Sequence, residues 1–177
     1  IGVGLVGSEM CIRDRHIGHG RGMILGEVTA KFLSYQGHKI IREYYVNDAG
    51  RQIDLLLVSV LLCHLGKNKH IFVDEKSNND GHLVTYKGRY VNDVATSLSH
   101  DLEKIDKDSV LSLLNEPIDS LISFLKKHKS YFEIRNGLVN VIIDEYIKED
   151  LSAVGINFDS WFRESQLYET GLLDEVL

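Results

Sequence analysis

Proline is nearly absent from this sequence, with Pro117 the one example in 177 residues. Together with the lack of any Gly/Ser-rich or repetitive tract, this excludes a proline-rich linker and low-complexity segments. Cysteine is equally scarce. Cys11 and Cys63 are too few for a disulfide framework. No apolar run reaches membrane-spanning length, and no secretory leader pattern is visible. A reduced, cytoplasmic setting without membrane contact is therefore the expectation. Positive charge is also short. The 20 Lys and Arg face 26 Asp and Glu, for a net charge of −6. That balance excludes a global attraction to RNA, so any nucleic-acid site is a local patch or lies elsewhere. What is present is a hydrophobic content of 44%, enough for a core in one domain of ordinary size.

The most informative stretch is Arg15-His16-Ile17-Gly18-His19-Gly20-Arg21-Gly22. A helix starting near Gly18 places His16 and His19 at its mouth. Free backbone N–H groups and the positive end of the helix dipole favour an anion there. Glycines allow close approach to the backbone, and imidazole N–H groups add donors. The pattern reads as a nucleotide phosphate site. It is no Walker loop, because no Gly-Lys-Ser/Thr follows. Two rivals stay open from spacing alone: a metal pair lacking a third ligand, and a solvated histidine pair.

The rest of the chain alternates apolar patterns with polar breaks. Gly18 to Gln36 reads as a helix, with Ile24, Val28 and Phe32 beside Leu25 and Leu33 as a core-facing stripe and Gly37 at its end. His38 to Val46 reads as a strand. Asn47-Asp48-Ala49-Gly50 marks a turn at its carboxyl end, where open α/β sheets bind ligands. Asn47 and Asp48 are candidates for that site, with turn formation and capping of the next helix as the competing role. Gln52 is a weaker candidate. Gly50 to Leu65 is apolar nearly all round and reads as a buried helix, with Cys63 a small core residue. Gly66 to Thr85 reads as a long polar connection around Ile71-Phe72-Val73. Helices are expected over Tyr86–Leu102, Asp106–Asn115, Ile118–His128 and Tyr131–Leu151. A short strand is expected over Asn157–Phe162 and a final helical start at Leu172. Lys126-Lys127-His128-Lys129 is the most basic cluster and fits cations at a helix C-terminus better than a phosphate contact.

Four segments carry a resemblance. His16 to Gly22 resembles the signature of class I aminoacyl-tRNA synthetases. Arg42-Glu43-Tyr44-Tyr45-Val46-Asn47-Asp48-Ala49-Gly50-Arg51-Gln52-Ile53 resembles a stretch of bacterial-type arginyl-tRNA synthetases. Tyr86 to Val91 and Ile156 to Ser165 resemble later segments of that family in the right order. The resemblance implies the α/β, Rossmann-like class I catalytic domain in part, with a mainly helical second half. It implies ATP-dependent ligation of arginine to tRNA. His16, Gly18, His19 and Gly20 would bind ATP, the two histidines as catalytic donors. Asn47, Asp48 and Gln52 would lie near the substrate. ATP would enter with Mg2+, without a protein metal site or a tightly bound cofactor. The implied partners are arginine, ATP and tRNA, and the family implies a monomer.

The sequence also departs from the family. Leu5 to Arg15 (LVGSEMCIRDR) back-translates to a string that resembles a transposase adapter used in sequencing-library preparation. Residues 1–15 are thus expected to be non-native, and 16–177 to be a partial catalytic domain. The first parallel strand, the second phosphate-binding motif and the anticodon-reading domain find no match. Unpaired sheet edges and an inactive fragment are the expectation. The alternative is a stand-alone, non-catalytic nucleotide- or tRNA-binding module derived from a synthetase.

Overall fold

The computed structural model describes residues 17–69, 86 and 88–169. The short Ile71–Val73 segment, most of the polar connection around it and the helical start at Leu172 lie outside the described residues, as does the 1–15 segment. The described chain forms α1 (Ile17–Tyr35), β1 (Glu43–Val46), α2 (Arg51–His64), α3 (Arg89–Ser97), α4 (Ser99–Leu102), α5 (Lys107–Ser112), α6 (Ile118–Lys127), α7 (Tyr131–Ile142), α8 (Lys148–Ala153), β2 (Ser160–Arg163) and α9 (Glu164–Glu169). It divides into two compact units. One holds residues up to Ala49 and from Glu145 onward; the other is Gly50–Asp144.

The Gly50–Asp144 unit is helical throughout its described part. Gly50 precedes α2 at φ 84 and ψ −179, a region that essentially only glycine occupies. α2 is buried on nearly every side, as its all-round apolar sequence requires: Ile53, Leu56, Leu57, Val58, Val60, Leu61 and Leu62 are all in the core. α3, α4, α6 and α7 pack against it. They contribute Val94, Leu102, Leu121, Ile134 and Leu138. Asp106 caps α5, its carboxylate accepting from the Ser109 N–H at 2.8 Å. Cys63 departs from the expected core position. It is half-buried, and its thiol donates to Asn92 Oδ1 at 2.6 Å, a polar partner that an apolar core would not offer.

A buried polar cluster ties three of these helices. Asp54 of α2 is 3% exposed. Its carboxylate accepts a hydrogen bond from the Tyr131 hydroxyl of α7 and lies 2.7 Å from Lys126 Nζ of α6. Lys126 therefore has an acidic partner within its own unit. Arg51 and Asp119 form a second ion pair between α2 and α6.

The other unit is built on a parallel pair. β1 and β2 align Glu43 with Ser160, Tyr44 with Trp161, Tyr45 with Phe162 and Val46 with Arg163. Alternation puts Tyr44 and Val46 inside and leaves Glu43 and Tyr45 outside. The Tyr44 ring stacks on Trp161 at 4.5 Å between centroids and meets Phe158 edge-on at 5.1 Å. Lys148 Nζ stands 5.2 Å from the centroid of the Trp161 ring. The first strand is shorter than the expected His38–Val46, because β2 offers only four partner residues.

The apolar stripe of α1 is a clear departure. Ile24, Leu25, Val28 and Phe32 were expected in a core, and each is more than half exposed. Two strands of four residues present too little surface to cover a 19-residue helix. A polar tie reaches α1: Arg42 Nε donates to Glu27 Oε2 at 2.8 Å. The Arg42 guanidinium in turn holds the Glu27 carboxyl below its ordinary range.

Gly155 closes α8. Its φ is 72°, its N–H donates to Ser152 O at 2.9 Å and the Ile156 N–H to Leu151 O at 2.9 Å. This is the C-terminal motif in which a left-handed residue satisfies the last carbonyls. Gly155→Ala is expected to destabilise this unit by about 1 kcal/mol, since a Cβ disfavours that backbone by roughly this amount. A shift of the urea midpoint for the change measures it; no shift would show that the turn relaxes freely.

Candidate functional site

Parallel strands bring their carboxyl ends to the same edge, and connecting segments leave the sheet there. At this edge β1 runs into Asn47-Asp48, and β2 runs straight into α9 with Arg163-Glu164-Ser165. The polar contacts follow the ladder in register. Arg42 N–H donates to Asp159 Oδ2 at 2.8 Å, and the Arg42 carbonyl accepts from Asp159 and Ser160 N–H at 2.8 and 3.0 Å. Ser160 Oγ donates to Glu43 Oε2 at 3.1 Å. At the far end, Asp48 Oδ1 accepts from Ser165 N–H and Asp48 Oδ2 from Ser165 Oγ, both at 2.8 Å. Residues 117 apart in sequence meet at each of these points.

Asp48 is 2% exposed, with the Arg163 guanidinium 4.0 Å from its Oδ2. Asn47 and Glu164 are half-buried. With its amide oriented to satisfy both neighbours, Asn47 donates to Glu164 Oε2 at 2.8 Å and to Ala49 O at 3.1 Å. Asp48 does cap a helix, but that helix is α9. The one that follows it in sequence, α2, begins at Gly50 without a side-chain cap.

The structure thus brings Asn47 and Asp48 together with Arg163, Glu164 and Ser165. Sequence reasoning did not single out these last three. Their signal was present: a short strand ending in Arg-Glu-Ser, a polar triplet at the edge where α/β sheets bind ligands. Only the pairing of β2 with β1 makes that edge shared. Gln52 lies exposed in the first turn of α2, in the other unit.

The glycine- and histidine-containing motif opens α1, which begins at Ile17. The backbone N–H groups from Ile17 to Gly20 therefore belong to its first turn, where no helical carbonyl serves them. A Cβ built on Gly20 meets nothing within 4 Å, so the backbone there is open to close approach. His16 lies outside the described residues, and the His19 side chain is not described. Among the described residues no three metal-ligating side chains converge, and no helix is long and apolar enough to cross a membrane.

Residues 7–71 match the family described as tRNA synthetases class I (R), catalytic domain. An arginine–tRNA ligase of Acidithiobacillus ferrooxidans is 34% identical over 92% of this chain and 28% of its own length. One from Helicobacter pylori strain 26695 is 34% identical over 87% of this chain and 24% of its own length. A solved structure assigned as an arginyl-tRNA synthetase of Campylobacter jejuni superimposes with a TM-score of 0.57 at 27% identity. It matches 89% of this chain and 29% of that one. The chain spans under a third of the length of these relatives.

Proposed function

We propose, for a chain that belongs to the class I arginyl-tRNA synthetase family, that the whole protein is an arginine–tRNA ligase. The observation that carries the reading is the shared sheet edge. Two family-like segments, Arg42–Ile53 and Ile156–Ser165, meet there in register across 117 residues. A parallel pair with a helix before it and polar termini after it supports the reading of a partial Rossmann-like nucleotide-binding domain.

In the proposed reaction the arginine carboxylate attacks the α-phosphorus of ATP. The α–β phosphoanhydride bond breaks, pyrophosphate leaves, and arginyl-adenylate forms. The terminal adenosine of tRNA then takes the arginyl group and AMP departs. His16 and His19 donate hydrogen bonds to the phosphates as charge shifts, and the first-turn N–H groups of α1 add further donors. Gly18 and Gly20 let ATP lie against the backbone. Magnesium enters with ATP as part of the substrate. Asn47 and Glu164 are among the half-buried polar groups of the edge, and the carboxylate of Glu164 has the sign that a cationic amino acid requires.

The test is arginine-dependent exchange of pyrophosphate into ATP in the presence of tRNA. The full-length protein is expected to be active. The 177-residue chain is expected to be inactive, because it lacks a match to the second phosphate-binding motif. Exchange with another amino acid and not with arginine would overturn the specificity; activity of the short chain would overturn the need for the missing motif.

A further inference from the structure

A carboxylate at the ligand edge of a sheet invites the assumption that it meets the substrate. The surroundings of Asp48 argue otherwise. It is 2% exposed, so little of it is open to a molecule arriving from solution. Both oxygens turn toward the start of α9, one accepting from the Ser165 N–H and the other from Ser165 Oγ. That N–H is a first-turn donor without a helical acceptor. Bonds from neutral donors to a carboxylate are charge-assisted and stronger than neutral ones. The ladder itself stops at Val46 and Arg163. Beyond it, the Asp48–Ser165 tie fixes where the chain leaves β1 relative to where it leaves β2. Asn47 precedes Asp48 and Glu164 precedes Ser165, and these two half-buried residues hold each other at 2.8 Å.

We propose that Asp48 is a positioning residue for adenylate formation. It acts through Ser165, clamping the start of α9 to the end of β1 and so setting the Asn47–Glu164 pair, without touching arginine or ATP. This rests on the ligase reading above. In the full-length protein, Asp48→Asn and Ser165→Ala are each expected to raise the KM for arginine roughly tenfold in pyrophosphate exchange, the scale of one lost hydrogen bond to a charged group. The KM for ATP is expected to stay within about twofold, since the ATP donors lie on α1. Ser165→Thr, which keeps the hydroxyl, is expected to restore the wild-type value. The double variant is expected to lose no more than the worse single one, as residues acting as one unit do.

Two results would overturn the proposal. A raised KM for arginine with Asp48→Asn but not with Ser165→Ala would remove the route through Ser165. Variants that melt lower but keep both KM values make the tie purely structural. Ser165→Ala retains the backbone donor and carries the test if Asp48→Asn does not fold. Absence of arginine-dependent exchange in the unsubstituted full-length protein would overturn the ligase reading instead, which separates the two failures.

Discussion

On the proposed ligase reading, replacing His19 with alanine in the full-length protein is expected to slow adenylate formation by roughly 10²–10³-fold, with little change in the KM for ATP. The expectation follows from where the motif sits. α1 begins at Ile17, so His19 belongs to the first turn of a helix whose N–H groups face outward. A donor aimed at phosphate oxygens matters most when charge moves onto them. Removing such a donor typically costs about 3–4 kcal/mol in the transition state. In that reading ground-state ATP would keep its backbone donors, so binding is expected to change far less than turnover. His19→Asn retains an N–H and is expected to recover part of the rate. Single-turnover measurement of adenylate formation separates chemistry from product release. A His19→Ala protein with unchanged rate but a raised KM would make the residue a plain binding contact.

Replacing Asp54 with alanine destabilises the Gly50–Asp144 unit by about 3 kcal/mol, the scale for breaking a buried, hydrogen-bonded charge cluster. The Asp54 side chain is 4% exposed, whereas that of Lys126 is 52% exposed. That asymmetry decides which partner matters. Without Asp54, the Tyr131 hydroxyl loses its acceptor inside the helical core, while Lys126 simply returns to water. Lys126→Ala is therefore expected to cost under about 1 kcal/mol. Burial, and then the Asp54 carboxylate, push the Tyr131 phenol above its ordinary range. It stays protonated and donating throughout the physiological range. Urea midpoints for the two variants, measured side by side, check the ordering; equal losses would place the cluster at the surface in solution.

How much of this was legible in the sequence depended on which forces act locally. α1, α2 and α6 fall within one or two residues of their expected spans, because apolar spacing and terminal glycines are local signals. Leu57 and Leu61 are buried as the all-round apolar pattern of α2 requires. Tyr131 to Leu151 reads as one helix by periodicity, but a π turn over Ile143–Ile147 divides α7 from α8. That insertion shifts the face without altering the composition. Ile24 and Phe32 show the limit of periodicity: it marks a helix face as apolar but does not supply the surface that covers it. The candidate site was half legible. Asn47 and Asp48 were visible as a turn after a strand, while Arg163, Glu164 and Ser165 needed the parallel register, a long-range fact. The short helix α9 also went unforeseen, since six residues are too few for a periodic signal.

The 117-residue separation between paired positions of the sheet also sets a timetable. Helices of the Gly50–Asp144 unit need only near neighbours in sequence and can form as they are made. β1 has no strand partner among the described residues until Ser160–Arg163 exists. At ribosomal rates, the Ser160–Arg163 partner follows roughly 6–23 s after β1. Closing so long a loop adds entropy that short-range contacts avoid. The shared edge of β1 and β2 is thus completed late, after the helical unit that lies between its two halves in sequence has been synthesised.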